Sequence, residues 1–214
     1  MSKPLLQIAL DATDLSTALT AARNIADHVD ILEVGTILAF AEGIKAVEVL
    51  REEYPKHIVV CDMKILDAGD ILAKMAFDAG ADWITVGAAA HIETIRSANR
   101  IAQAYGGEVQ IELFGKWDLD DARLWVESGI TQAIYHRSRD AQAAGVSWSD
   151  EDLKIMQQLS DIGIELSITG GIVPADIHLF KSINAKAFIA GRALASKDGL
   201  SIANAFHREF EKYW

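Results

Sequence analysis

The chain has a single cysteine, Cys61, in 214 residues, which excludes an intrachain disulfide and any cysteine-rich metal site. Proline is scarce as well, and no Ser/Gly-rich stretch or block of like charge marks a linker or a tail, so residues 1–214 read as a single domain. No apolar run approaches the roughly 20 residues of a membrane span. Asp11 interrupts the apolar segment that starts at Leu5 before a signal-peptide core could form, so a protein neither exported nor membrane-embedded is expected, in a reduced cytoplasm. Basic residues are also in deficit. With 20 of them against 31 acidic ones, the net charge of −11 argues against nucleic acid or an anionic membrane as partner. An anionic small molecule stays open, because a few cations in one pocket suffice to bind it.

What the chain has in abundance is alternation. Short, mostly apolar runs at 5–10, 29–34, 57–64, 82–87, 108–113, 131–135, 165–168 and 187–190 are each followed by a helical pattern. Asp14 is placed to cap the first helix. Ile44, Val47 and Leu50 stripe the second, Ile71, Leu72, Met75 and Phe77 the third, and a last helix runs over about 201–213. Runs without internal polar alternation suit strands covered on both faces. An open doubly wound sheet competes, but it usually has five or six strands and a glycine-rich turn after the first. Here the first run is followed by Asp11-Ala12-Thr13-Asp14. Eight strand-helix units predict an α/β fold of the (β/α)8 TIM-barrel type, with functional groups at the C-terminal ends of the strands.

Those ends carry Asp11, Glu33, Asp62 with Lys64, Gly87, Glu112, His136, Thr169-Gly170-Gly171 and Gly191-Arg192. In a regular strand Asp62 and Lys64 share one face and Cys61 the other, with Asp67 in the turn beyond. A solvated salt bridge explains these charges as readily as catalysis does when the stretch is taken alone. The convergence of so many polar ends on one barrel mouth favours a site. The loops after strands seven and eight commonly bind phosphate through backbone N–H groups, and Gly170, Gly171, Gly191 and Arg192 suit that task. Glu33 and Asp62, on adjacent strands, suit Mg²⁺; neutralisation of both by Lys64 is the competing reading.

The Asp62-x-Lys64-x-x-Asp67 motif, taken with Asp11, Glu33, Glu112, the run Tyr135-His136-Arg137-Ser138-Arg139-Asp140, Thr169-Gly170-Gly171 and Gly191-Arg192, resembles the orotidine-phosphate decarboxylase superfamily. Glu33 stands where orotidine-phosphate decarboxylases carry lysine and use no metal. Glu112, Arg137-Ser138, Arg139 and Thr169 differ from the pattern of hexulose-phosphate synthases and resemble that of 3-keto-L-gulonate 6-phosphate decarboxylases. The resemblance implies Mg²⁺-dependent loss of CO₂ from a phosphorylated keto-sugar acid through an enediolate, in L-ascorbate or L-gulonate catabolism. It implies Mg²⁺ on Glu33 and Asp62, and Lys64 as the group stabilising the enediolate. Asp67 would orient that lysine and reach the neighbouring subunit's site in a homodimer. Asp11 and Glu112 would hold substrate hydroxyls, and His136 with Arg139 would deliver a proton through water. Trp117 and Trp148, near the barrel top, are candidates to cover substrate, while Trp83, Trp125 and Trp214 are expected to pack. The alternatives are an aldol enzyme of the hexulose-phosphate synthase kind, a phosphosugar epimerase, and a catalytically silent sugar-phosphate sensor.

Overall fold

A computed structural model of the chain describes residues 2–137, 145 and 147–214. Eight strands close into a barrel in chain order: β1 Leu5–Leu10, β2 Ile31–Val34, β3 Ile58–Ile65, β4 Trp83–Gly87, β5 Glu108–Glu112, β6 Gln132–His136, β7 Glu165–Thr169 and β8 Ala185–Ala190. Every neighbouring pair is parallel, and β8 returns to β1. Parallel neighbours require crossovers, and these lay helices over the outer face: α1 Leu15–Ile25, α2 Thr36–Glu42, α3 Lys45–Glu53, α4 Gly69–Asp78, α5 Ile92–Tyr105, α6 Leu119–Glu127, α7 Asp150–Ile162 and α8 Gly199–Tyr213, with a 3₁₀ segment, Pro174–Phe180, between β7 and β8. Among the described residues no helix is long and apolar enough to cross a membrane.

The strands lie within two residues of the predicted runs at either end, and Asp14 caps α1 by accepting from the Thr17 N–H. The helical layer differs in two places. Where one helix is expected around Ile44, Val47 and Leu50, two form, because Gly43 at φ +63° breaks the chain direction between α2 and α3. α2 is apolar from Ile37 to Ala41 yet buries only Leu38, so its run shows no stripe at helical spacing. On α4 the predicted stripe is wider than the face that packs: Phe77 is buried with Ala73 and Ala76, while Ile71 and Met75 are exposed.

Strand parity divides the core. Alternate residues of the strands pack outward under the helices, Cys61 among them with Val59 and Ile65, and burial pushes the Cys61 thiol up to about 12. The inward residues at the barrel floor are Ile31, Val60, Trp83 and Ala187. Above them the filling is polar instead of the branched aliphatics usual in such barrels. Gln7, Thr85, Gln110, Gln132 and Ser167 are all fully or almost fully buried. Gln110 Nε2 donates to Gln132 Oε1 at 2.9 Å and to Ser167 Oγ at 3.2 Å, and Gln132 donates in turn to Glu108.

At the opposite, N-terminal face, Arg51 of α3 staples three segments. It donates to the carbonyls of Gly80 (2.8 Å) and His57 (3.0 Å) and pairs with Asp82, whose carboxylate also accepts from the Val59 N–H. Arg51→Ala is expected to lower stability by about 2 kcal/mol, since it leaves a carboxylate and two carbonyls short of a donor. Urea denaturation would detect this as a lower midpoint with an unchanged slope.

Candidate active site

The C-terminal strand ends open into a cleft of about 670 Å³, within the range of small-molecule sites. Its walls bring together Asp11, Glu33, Asp62, Lys64, Glu112, His136, Thr169, Gly170, Gly171, Gly191 and Arg192. Arg139 lies outside the described residues. Asp67 is exposed and does not line the cleft of its own chain, and no ion pair joins it to Lys64 among the described residues.

Asp62 and Lys64 meet, but not through regular strand alternation. Cys61 pairs with Ile84 and Ile65 with Val86, so β3 carries two extra residues against β4 and bulges at 62–64. Lys64 takes a left-handed conformation, φ +48°, uncommon for a residue with a side chain. Its N–H, which the regular ladder no longer holds, donates to Thr85 Oγ1 at 2.8 Å. The Thr85 hydroxyl therefore donates onward, to Asp62 Oδ1 at 2.7 Å. On the other oxygen, Asp62 Oδ2 accepts from Lys64 Nζ at 2.5 Å and from Thr36 Oγ1 at 2.6 Å. Burial works to raise the Asp62 pKa, but the Lys64 ammonium and these hydrogen bonds outweigh it and hold the carboxyl below its ordinary value. For Lys64, burial is outweighed by Asp62 and Glu112, and its pKa is raised.

Glu33 is in the opposite condition. It is buried, close to the Asp62 charge, and accepts one hydrogen bond, from Gln7 Nε2 at 2.6 Å. Burial first and then Asp62 push its pKa well above 4.5, against the opposing effect of Lys64. Glu112, also buried, lies 3.5 Å from Lys64 Nζ. A single ammonium thus faces Glu33, Asp62 and Glu112. That imbalance fits a hard divalent cation held by Glu33 and Asp62. Held by two carboxylates, such an ion would complete its shell with water and substrate oxygens, the habit of Mg²⁺; among the described residues no cluster of three or more His, Cys, Asp or Glu side chains is placed to hold a metal.

Glu112 also fixes His136. The ring Nδ1 lies 2.7 Å from Glu112 Oε1, and since a carboxylate only accepts, Nδ1 carries the proton and Nε2 is left to exchange one. Phe114 packs against the His136 ring with centroids 4.8 Å apart and sits 5.9 Å from Lys64 Nζ. Thr169 Oγ1 donates to the Ile189 carbonyl at 3.1 Å, so toward a ligand this hydroxyl accepts. Asp11 lies against Gly35, where a Cβ would stand 2.4 Å from Asp11 Oδ1, so the glycine is required by close approach.

Gln7, Thr36, Thr85 and Phe114 are site residues absent from the motif reading. Thr85 and Gln7 leave a trace, each being a polar residue inside an otherwise apolar strand. Thr36 leaves none, because α2 does not stand out in the sequence. Trp117 and Trp148 do not cover the cleft: Trp117 packs near Trp125 and Trp148 against Phe180, on the core side of the loops. Trp83 and Trp125 are buried, and Trp214 packs on Phe188 and Phe210, as expected.

Comparison with known proteins shows the family and the fold. The model of the Orotidine 5'-phosphate decarboxylase / HUMPS family matches residues 4–204. A 3-keto-L-gulonate-6-phosphate decarboxylase of Escherichia coli K12 is 54% identical over 215 residues, covering 100% of this chain and 98% of that protein. The crystal structure of 3-keto-L-gulonate-6-phosphate decarboxylase from Vibrio cholerae aligns with a TM-score of 0.96 at 59% identity, covering both chains in full. A 3-hexulose-6-phosphate synthase from Salmonella typhimurium aligns at TM-score 0.90 and 31% identity, over 98% of this chain and 100% of that one.

The Glu33 environment sets a pH dependence. A carboxyl whose folded pKa lies above its unfolded value binds more protons folded than unfolded, so stability falls as pH rises between the two values. In EDTA the melting temperature is expected to decline as pH rises from about 4.5, and Glu33→Gln to flatten that decline. Asp62, with a lowered pKa, acts only at more acid pH, where its stabilisation is lost as it protonates. Thermal melts from about pH 4.5 to 8.5 check the sign of the Glu33 effect.

Proposed function

The chain belongs to the Orotidine 5'-phosphate decarboxylase / HUMPS family, and from that premise we propose that it is a Mg²⁺-dependent carboxy-lyase that converts 3-keto-L-gulonate 6-phosphate to L-xylulose 5-phosphate and CO₂, in L-ascorbate or L-gulonate catabolism. The observation that carries this reading is the buried Glu33, Asp62 and Glu112 around a single Lys64, beneath a rim of Gly170, Gly171, Gly191 and Arg192. Full-length relatives named for this reaction support the substrate.

When CO₂ leaves a β-keto acid, the bonding pair stays on carbon and delocalises onto the keto oxygen as an enediolate, which then takes up one proton. Glu33 and Asp62 would hold Mg²⁺, which would supply Lewis-acid charge to substrate oxygens. Lys64 adds a charged hydrogen bond to the developing oxyanion from a position held by Asp62, Thr36 and Thr85. Asp11 and Glu112 accept hydrogen bonds from substrate hydroxyls, and Thr169 offers its lone pairs. The glycine N–H groups and Arg192 take the phosphate. His136, its Nδ1–H committed to Glu112, takes up a proton from solvent at Nε2 and passes it through water to the enediolate carbon, aided by Arg139.

Asp67 belongs to the reading as a residue of the neighbouring site in a homodimer. Its own cleft does not contain it, and exposed apolar side chains lie near it in the chain: Leu66, Ile71 and Met75 are 59%, 61% and 46% exposed. Ile71 and Met75, one turn apart on α4, are side chains a second copy would cover.

CO₂ release from 3-keto-L-gulonate 6-phosphate is expected and is expected to stop in EDTA; release indifferent to chelation overturns the metal assignment. Lys64→Ala should lower kcat by about 10²–10³, the usual cost of one oxyanion-stabilising group. Mixing inactive Lys64→Ala and Asp67→Asn chains should restore about a quarter of parental activity, because half the dimers are mixed and each mixed dimer has one intact site. No recovery would remove Asp67 from the partner's site.

A further inference from the structure

The proposed mechanism gives Arg137 no task, yet this residue holds the backbone of the anion-binding rim. It sits just past β6. Its N–H donates to the Thr169 carbonyl at 3.1 Å, its Nε to the Gly170 carbonyl at 2.8 Å, and Nη2 makes a longer contact of 3.4 Å to the Gly171 carbonyl. The guanidinium lies 4.8 Å from the Trp148 ring centroid, on the ring face, and Trp148 rests edge-on against the fully buried Phe180. A guanidinium on an indole is held by cation–π attraction while its N–H edge stays free to donate. Contact with the neighbouring loop is close: a Cβ on Gly170, φ +106°, would stand 2.2 Å from the Arg137 carbonyl oxygen.

In a trans peptide the carbonyl of one residue and the N–H of the next point to opposite sides of a rigid plane. Fixing the Gly170 and Gly171 carbonyls on Arg137 therefore turns the N–H groups of Gly171 and Ile172 the other way, and both residues line the cleft. We propose that Arg137 is a positioning residue for substrate binding: stacked on Trp148, it clamps the Gly170 and Gly171 carbonyls so that the following amides face the substrate's phosphate. The inference rests on the phosphate reading of the rim. It also couples two loops, because the clamp begins one residue after His136.

The test uses the full-length enzyme with inorganic phosphate as probe, measured by calorimetry and as a competitive inhibitor, alongside steady-state kinetics on the phosphorylated substrate. Arg137→Gln and Arg137→Lys should each weaken phosphate about tenfold, the loss equivalent to about 1.4 kcal/mol, and raise KM in step while kcat stays within about twofold. Lysine keeps the charge but cannot bridge two carbonyls from a planar stacked group. Arg137→Lys holding phosphate as tightly as the parent would reduce the residue to its charge and overturn the clamp. So would a fall in kcat at unchanged KM. Melting curves identify a variant that fails to fold, and the other then decides. A parent enzyme that phosphate does not inhibit would overturn the phosphate reading itself, a failure seen in the parent and not in the variants.

Discussion

The interaction on which the rest of this structure depends is the buried contact between Asp62 and Lys64. Neither charge is stable there alone, since removing an ion from water costs several kcal/mol even after relaxation. The pair is therefore braced from every side. Thr36 and Thr85 satisfy both Asp62 oxygens, and Thr85 at once holds the Lys64 N–H that the bulge in β3 frees from the ladder. The left-handed Lys64 backbone brings an ammonium two residues away onto the same carboxylate. Strain of this kind persists where surrounding contacts over-determine it, and here Asp62, Thr36 and Thr85 do so.

That arrangement leaves Glu33 and Glu112 as excess negative charge. Among the described residues each accepts from one hydrogen-bonding side chain, Gln7 for Glu33 and His136 for Glu112, and Lys64 Nζ stands 3.5 Å from Glu112. The barrel interior follows from this demand. Where branched aliphatics would pack more stably, Gln7 and Thr85 donate to the Glu33 and Asp62 carboxylates, and Gln110, Gln132 and Ser167 bond among themselves and to Glu108. Stability is drawn elsewhere, from the helix-covered wall with its Phe180, Phe188, Phe206 and Phe210 stack and from the Arg51 staple at the opposite face. One face of the barrel is spent on charge and the other on cohesion.

Much of the site was legible because a parallel barrel places all strand ends on one side, so a list of terminal residues is already a list of neighbours. Asp11, Glu33, Asp62, Lys64, Glu112, His136, Thr169 and the two glycine turns come together for that reason. Residues inside the strands were less legible. Thr85 and Gln7 act by hydrogen bonds to other strands, and their partners are 23 and 26 residues away in the chain. Trp117 and Trp148 were misjudged for a related reason: loop residues near a barrel mouth can face the cleft or the wall, and only packing near Trp125 and against Phe180 assigns them to the wall.

The amino-acid sequence by itself determined the eight strands, their order and the chemical character of their ends, since apolar runs, caps and glycine turns act over a few residues and leave a local record. Tertiary structure alone decided how those ends are charged and held. It made a bulge of residues 62–64, set one ammonium among three carboxylates, and passed the Gly170 and Gly171 carbonyls to an arginine from another loop. Burial and hydrogen-bond partners act through space, and their energies depend on which distant segments close over a side chain.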